Sequence, residues 1–226
     1  MATILTYPSR RITVWGGPVT CRYGGAVEAN EDDVARVLAA VRRRQARAGE
    51  AGQEQGYAEG YAAASRGPLV VAVDGPSGSG KTVLGTAVAA RLDAPLVHMD
   101  DLFPGWDGLV EAPALLATQV LEPLARGERA AYRRWDWHRD GWAEEVEVPS
   151  TQLLVVEGCG SSVGPAARYV AVAVWVEAER AERMRRGLAR DGESYRPHWE
   201  RWAAQEDVLF GADRTRERAD VLVRTG

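Results

Sequence analysis

The segment GPSGSGKT, residues 75–82, has the residue types and the spacing of a phosphate-binding loop. It fits the pattern GxxxxGK[ST], in which glycines let backbone N–H groups approach phosphate oxygens while the lysine contacts the terminal phosphates. The apolar run at 69–73 predicts a buried strand before the loop, and the spacing of apolar residues at 82–92 predicts a helix after it. This context favours nucleoside triphosphate binding over an incidental glycine turn.

Lys81 is the only lysine of the chain, since the other 27 of its 28 lysines and arginines are arginine. A compact ammonium on a flexible stem enters a closed phosphate loop more readily than a planar guanidinium does. We expect Thr82 to ligate Mg²⁺. The residues expected to bind the nucleotide in this segment are Gly75, Ser77, Gly78, Ser79, Gly80, Lys81 and Thr82.

Carboxylates follow two further strands that the sequence predicts. Asp100 and Asp101 lie in HMDDLF after the strand at 96–99, and Glu157 ends the strand at 152–157. In a parallel sheet such strand ends line the ligand crevice, so Asp100 is positioned to accept a proton and Glu157 to lie near Mg²⁺. The alternatives are that the aspartates cap the following turn and that Glu157 faces solvent.

The order of elements predicts a doubly wound α/β fold with a parallel five-stranded sheet. A continuous apolar run such as YVAVAVWVE, at 169–177, is typical of a strand buried on both faces. The sheet strands are predicted at 69–73, 96–99, 152–157, 169–177 and 221–223, two short strands at 131–135 and 146–148, and further helices at 111–125, 178–190 and 197–210.

Composition narrows the class of protein. The chain has 226 residues, a formal net charge of −4 and a pI near 5.5, which argues against a general nucleic-acid or membrane-surface binder. No apolar run approaches the ~20 residues of a transmembrane helix, and no signal-peptide pattern is present, so we expect a cytoplasmic protein. The absence of NKxD and LSGGQ motifs disfavours a GTPase and a transport ATPase.

Residues 1–67 read as an N-terminal extension to a domain at 68–226. A hairpin is predicted within 11–23, an amphipathic helix at 31–47 and a Gly- and Ala-rich linker at 48–68. The extension could serve as a docking module, as an arm for homo-oligomerisation, or as sequence upstream of the true start codon.

The ordered set DGPSGSGKT, HMDDLF, WDW, LLVVEG, an arginine-rich helix and ADVLV resembles the uridine kinase and nicotinamide riboside kinase group over residues 68–226. The chain is most similar to small actinobacterial uridine kinase-like proteins. The resemblance implies a P-loop fold with a helical lid, ATP and Mg²⁺ as cofactors, and phosphoryl transfer to a small molecule.

By that resemblance Asp100 matches the base that activates the acceptor hydroxyl, Asp136 of WDW lies at the acceptor site and Glu157 lies near the metal. The lid helix contributes Arg186 and Arg190 to catalysis and Arg185 to nucleotide binding. An ordinary solvated helix is the alternative for these arginines. The chain departs from the family where His138 and Arg139 are adjacent and where the lid is one residue longer.

Tryptophans cluster around WDWHRDGW, with Trp135, Trp137 and Trp142 inside eight residues and Trp106 nearby in motif order. Aromatic faces stack flat rings, although core packing is the alternative for any single tryptophan. The candidate acceptor residues are Asp101, Trp135, Asp136, Trp137, His138 and Arg139, while Trp175, Trp199 and Trp202 are expected to pack.

The resulting hypothesis is an ATP-dependent kinase that phosphorylates a ring-bearing small molecule, first of all a nucleoside such as uridine or cytidine at its ribose 5′-hydroxyl. A kinase for a nucleotide, a vitamin precursor or a specialised metabolite, and a non-catalytic ATP-dependent regulator, are the alternatives.

Overall fold

A parallel five-stranded sheet forms the centre of the part of the chain that the computed structural model describes, residues 29–54 and 67–226. The strand order is β2-β5-β1-β6-β7, and β3 and β4 form a separate antiparallel hairpin. The strands are β1 (Leu69–Asp74), β2 (Leu96–His98), β3 (Ala130–Asp136), β4 (Gly141–Val148), β5 (Leu153–Glu157), β6 (Val170–Glu177) and β7 (Val221–Arg224). The predicted fold class is therefore confirmed.

Strand β1 lies at the middle of the sheet because both of its edges are paired. It runs parallel to β5 and to β6, and Val73 is in register with Glu157 of β5. On the other side of β5, His98 of β2 is also in register with Glu157. The carboxyl ends of β1, β2 and β5 therefore meet at one edge of the sheet, where the phosphate loop begins.

Helices cover both faces of the sheet. Helices α1 and α2 contribute to one apolar cluster, and α3, α4, α6 and the β3–β4 hairpin contribute to the other. Residues of β1 alternate between the two, with Val70 in one cluster and Val71 and Val73 in the other, as expected of a strand buried on both faces. The helices are α1 (Glu31–Glu54), α2 (Lys81–Leu92), α3 (Ala112–Leu116), α4 (Glu122–Ala125), α5 (Arg180–Asp191) and α6 (Arg196–Asp213).

Helix α1 is longer than the sequence indicated. It continues to Glu54, so residues 48–54, which were assigned to a linker, are helical. The segment AGEAGQE contains mostly good helix formers, and its glycines do not end the helix because a long helix tolerates them at a cost of about 1 kcal/mol each. The rest of that linker, at 55–66, and the predicted hairpin within 11–23 lie outside the described residues.

The apolar side of α1 packs into the domain. Val34, Val37 and Val41 recur at helical spacing and are almost completely buried in the cluster that also contains residues of β1, β6 and α2. This helix therefore belongs to the core that supports the sheet. Among the helices that the structure describes, none is long and apolar enough to cross a membrane.

Candidate active site

The phosphate loop between β1 and α2 requires glycine because two backbone segments lie against it. Gly75 has φ +136° and Gly78 has φ +79°, which are conformations that residues with a Cβ rarely adopt. A Cβ at Gly75 would lie 2.1 Å from the Val176 carbonyl oxygen, and one at Gly78 would lie 2.4 Å from that of Arg183. Strand β6 and helix α5 are therefore docked on the loop.

The N–H groups of the loop divide into two sets. The Ser79 N–H donates to the Pro76 carbonyl at 3.2 Å, and the Ser77 N–H donates to the Glu206 carboxylate at 2.6 Å. By contrast, the N–H groups of residues 78, 80, 81 and 82 donate to no acceptor within the described residues. Such donors need an acceptor, and at the N-terminus of α2 a phosphate is the acceptor that fits.

The carbonyl groups of the loop are held from outside by side chains. Each carbonyl at positions 76–79 accepts a hydrogen bond, at distances from 2.7 to 3.5 Å. These four carbonyl oxygens therefore have side-chain donors before any nucleotide binds. In order from position 76 to 79, the donors are Lys81 Nζ, Arg183 Nη1, Arg186 Nη1 and Thr225 Oγ1.

Asp74, the last residue of β1, ties the loop to the segment after β5. Its buried carboxylate accepts from the N–H groups of Gly75, Gly160 and Ser162 and from the Ser162 hydroxyl, all within 2.8 Å. Burial raises the pKa of Asp74 although these hydrogen bonds act in the opposite direction. The sequence analysis gave this aspartate no role.

Glu157 lies between Thr82 and His98 at the carboxyl end of β5. The Thr82 hydroxyl donates to Oε2 at 3.2 Å, and His98 Nδ1 lies 2.6 Å from Oε1. Burial alone would raise the pKa of Glu157, but His98, Lys81 and Thr82 lower it. The same contact raises the pKa of His98 in spite of the burial of its ring. Glu157 is thus a buried carboxylate held in its charged form, and the solvent-facing alternative is wrong.

Asp100 lies in the turn after β2, Met99–Asp101, and is exposed to solvent. The surrounding protein atoms and the charge of Glu157 raise its pKa, against the charges of Arg190, Lys81 and His98. Asp101 accepts a hydrogen bond from the Tyr132 hydroxyl at 3.2 Å. The charge of Asp100 therefore interacts with those of both Glu157 and Lys81.

The arginines of α5 occupy different places. Arg186 donates to the Gly78 carbonyl and to the Thr225 hydroxyl, so it lies at the phosphate loop. The charge of Arg190 lowers the pKa of Asp100. The Arg185 guanidinium pairs with Glu182 at 2.7 Å and is 68% exposed, so the structure does not bring it to the loop. Arg183, which the sequence analysis passed over, is buried against the loop instead.

Two tryptophans lie near Asp100. The Trp137 indole donates to the Asp100 carbonyl at 2.8 Å, and the Trp106 ring lies 5.0 Å from the Trp137 ring. Trp106 also stacks on His198, with 4.4 Å between ring centroids. We call Trp106, Trp137 and His198 the aromatic wall. Trp175, Trp199 and Trp202 are buried, as expected of packing residues.

The other predicted acceptor residues lie in the β3–β4 hairpin. Trp135 and Trp142 pack edge to face on each other across the two strands, at 5.1 Å. The Asp136 carboxylate accepts from the backbone N–H groups of His138 and Arg139, at 3.0 and 3.1 Å, which lowers its pKa in spite of desolvation. Asp136 thus stabilises the hairpin turn, and the exposed side chains of His138 and Arg139 follow it.

Glu206 is the functional candidate that the sequence analysis missed. It lies on α6 and is 1% exposed, and its carboxylate contacts the phosphate loop at Ser77. One signal was present in the sequence. Glu206 follows Trp202 by four residues and Trp199 by seven, which places a charge on the apolar side of the helix.

No protein-family model and no curated protein matches this chain. Among solved structures, "a Possible Uridine Kinase" from Bacillus stearothermophilus is similar with a TM-score of 0.51 and 20% identity, over 72% of this chain and 91% of that chain. D-glycerate 3-kinase from Cryptococcus neoformans follows at 0.49 and 15%, over 79% and 87%. Shikimate kinase from Acinetobacter baumannii gives 0.43 and 13%, over 72% and 86%.

The central sheet, the phosphate loop and the first of these similarities define the fold as that of the P-loop kinases. At 20% identity the similarity defines the fold alone, so the chemistry is argued from the site.

Proposed function

We propose that this protein is a P-loop kinase that transfers the γ-phosphate of ATP to a hydroxyl group of a small, ring-bearing molecule. The observation that carries the proposal is the position of Asp100, a solvent-accessible carboxylate whose charge interacts with that of Lys81 in the phosphate loop. A hydroxyl that reaches Asp100 can donate its proton there while a phosphate lies in the loop, and kinase chemistry needs that arrangement.

The donor side of the reaction follows from the loop. The free N–H groups of residues 78, 80, 81 and 82 bind phosphate oxygens, and the Lys81 ammonium exchanges its contact with the Pro76 carbonyl for the terminal phosphates. Arg186 and Arg190 are proposed to stabilise the charge of the transferring phosphoryl group. The exposure of Arg185 restricts it to the outer edge of the nucleotide site.

Magnesium fits this site as an ion that accompanies ATP. No group of three His, Cys, Asp or Glu residues in the described part of the chain could hold a metal by itself. Thr82 donates its proton to Glu157, which leaves the lone pairs of the Thr82 oxygen for a cation. Mg²⁺ in kinases takes few protein ligands beside phosphates and waters, and it would offset the negative charge of the phosphates. Thr82 and Glu157 are the residues proposed to hold it.

The acceptor is proposed to be a flat-ringed molecule, first of all a nucleoside such as uridine or cytidine. The aromatic wall offers ring faces directly beside Asp100, because the Trp137 indole is bonded to the Asp100 carbonyl. Stacking a base on such faces contributes roughly 1–3 kcal/mol per base. Asp101, Trp135, Asp136, His138 and Arg139 complete the proposed acceptor side.

The kinase proposal is tested with Asp100→Asn. We expect turnover to fall by about 10²–10⁴-fold because the base is lost. The affinity for MgADP should stay within about threefold of wild type, well under the ~1.4 kcal/mol of a tenfold change, since a carboxylate offers phosphate oxygens no donor and acts on the loop through the charge of Lys81. Asp207→Asn, an exposed carboxylate on α6, is the control. Unchanged turnover in Asp100→Asn would show that Asp100 is not the base, whereas a wild-type protein that binds MgADP without turnover would favour a nucleotide-dependent regulator.

The acceptor is tested by coupled assays of ATP consumption over separate panels of nucleosides, nucleotides, vitamin precursors and other ring-bearing alcohols. We expect phosphorylation within the nucleoside panel. Turnover confined to another panel would overturn the nucleoside assignment and leave the kinase intact. If no compound is phosphorylated although MgADP binds, the catalytic assignment itself is wrong.

A further inference from the structure

A buried ion pair between two helices lies against the outer side of the phosphate loop. Arg183 of α5 and Glu206 of α6 are 3.4 Å apart, and their side chains are 8% and 2% exposed. Together they hold both polar backbone groups of Ser77: the N–H donates to Glu206 Oε1 at 2.6 Å, and the carbonyl accepts from Arg183 Nη1 at 3.2 Å. We call this arrangement the Ser77 clamp.

The Glu206 carboxylate accepts two more hydrogen bonds. The Trp202 indole donates to Oε1 at 2.9 Å, and the Cys159 thiol, in the segment after Glu157, donates at 3.2 Å. Trp202 in turn packs edge to face on Phe103 and on Trp106 of the aromatic wall, with ring centroids 4.8 and 6.1 Å apart. Glu206 therefore connects the phosphate loop with the aromatic wall, beside which the acceptor is proposed to bind.

Stability alone does not account for this pair. Apolar residues of similar volume can often replace a buried ion pair without loss of stability, because burial removes both charges from water. The surroundings of Glu206 on α6 are apolar, with Trp199, Trp202 and Ala203 all buried. Each member of the pair also makes a hydrogen bond to the same loop residue, Ser77, which points to a role in the geometry of the loop.

We propose that Glu206, together with Arg183, is a positioning residue for phosphate binding, a role that rests on the proposed function. By holding Ser77 from both sides, the clamp fixes the peptide groups that enter the loop. The four free N–H groups then keep their arrangement. Without Glu206, the Ser77 N–H loses its acceptor and can turn toward the space in which those groups bind phosphate.

The test compares a double variant with a matched control that links the same two helices. Arg183→Met with Glu206→Leu removes the clamp and leaves no unpaired buried charge, so we expect it to fold. Arg180→Met with Asp207→Leu removes the exposed Arg180–Asp207 pair, which joins α5 to α6 without touching the loop. Glu206→Gln keeps an oxygen acceptor for the Ser77 N–H. MgADP affinity is measured by calorimetry on the full chain, and folding by circular dichroism.

We expect the clamp double variant to bind MgADP about tenfold or more weakly because its Ser77 N–H has no acceptor, while the control pair and Glu206→Gln, which keeps an acceptor, stay within about threefold of wild type. Wild-type affinity in the clamp variant would overturn the proposal, and so would a loss in Glu206→Gln above about threefold. If the clamp variant does not fold, Glu206→Gln alone decides by the same limit. A wild-type protein that fails to bind MgADP would instead refute the proposed kinase function.

Discussion

Asp100 has the properties of a base that is tuned by its neighbours. The surrounding protein and the charge of Glu157 raise its pKa above the ordinary value of an aspartate, and the charges of Arg190, Lys81 and His98 oppose that rise. The pKa of His98 is itself raised by Glu157, which favours the charged ring that acts on Asp100. The charge state of Asp100 therefore depends on the His98–Glu157 pair.

We predict an acid limb in the pH profile of kcat that lies above pH 3.8 and reports Asp100. A base works only when it is deprotonated, so activity falls as the pH decreases through its pKa. His98→Gln keeps a donor for Glu157 but removes a positive charge that lowers this pKa, so the limb should move to higher pH. Glu145→Gln, in an exposed ion pair of the hairpin, should leave it in place. A limb that stays fixed in His98→Gln would contradict the prediction.

Helix α5 is attached to the phosphate loop through its backbone as well as through its arginines. The Arg183 carbonyl oxygen occupies the space in which a Cβ of residue 78 would lie. The same turn of α5 sends the Arg183 side chain to Ser77, and the next turn sends Arg186 to Gly78. Loop and helix therefore form one unit, and a change in the docking of α5 alters the shape of the phosphate site.

Gly78→Ala should disturb the packing of helix α5 on the phosphate loop. The new Cβ would lie 2.4 Å from a backbone oxygen, so α5 or the loop has to shift, and we expect MgADP affinity to fall by about tenfold or more. Gly164→Ala is the matched control, because Gly164 also has a positive φ, of 54°, with nothing within 4 Å of its Cβ. The control should lose about 1 kcal/mol of unfolding free energy and keep MgADP affinity. Equal effects of both substitutions would show that docking of α5 is unimportant.

The N-terminal helix completes one face of the sheet. Val34, Val37 and Val41 of α1 share an apolar cluster with Val71 and Val73 of β1. Strand β1 carries the phosphate loop at its end, so α1 supports from behind the strand on which the site is built. The boundary proposed at residue 67 separates α1 from the motifs in sequence but not from the core in space.

We therefore predict that Val37→Ala lowers the free energy of unfolding by about 2 kcal/mol, from the lost apolar burial and the cavity left behind. Val37 is 0% exposed. Val208→Ala is the control, since Val208 is 72% exposed on α6 and its truncation should change stability by less than about 0.5 kcal/mol. Urea denaturation measures both values. A similar loss in the two variants would mean that α1 is only weakly held on the sheet.

The elements nearest the loop were predictable because their signals are local. The apolar runs of β1 and β6, the glycine spacing of the loop and the start of α2 each lie within one short segment. Asp136 also has a local signal, although the sequence analysis placed it at the acceptor site. An aspartate two residues before a turn residue often accepts a hydrogen bond from the backbone, and Asp136 accepts two.

The contacts that complete the candidate site could not be predicted in the same way because they join distant parts of the chain. The Ser77–Glu206 bond spans 129 residues and the Arg183–Ser77 bond spans 106. Helical periodicity places a charge on the buried side of α6 but does not say which donor it meets. The choice among the arginines of α5 likewise depends on how the helix is rotated against the loop.

The four side-chain donors on the outside of the loop also affect the thermodynamics of ligand association. Lys81, Arg183, Arg186 and Thr225 each anchor one loop carbonyl before any nucleotide is present. The conformational entropy of this glycine-rich segment is thus lost when the chain folds rather than when the nucleotide arrives. Of the four, Lys81 and Arg186 are the donors proposed to act on the phosphates, and Lys81 has to release the Pro76 carbonyl to do so, so the local rearrangement on binding is confined to these two side chains.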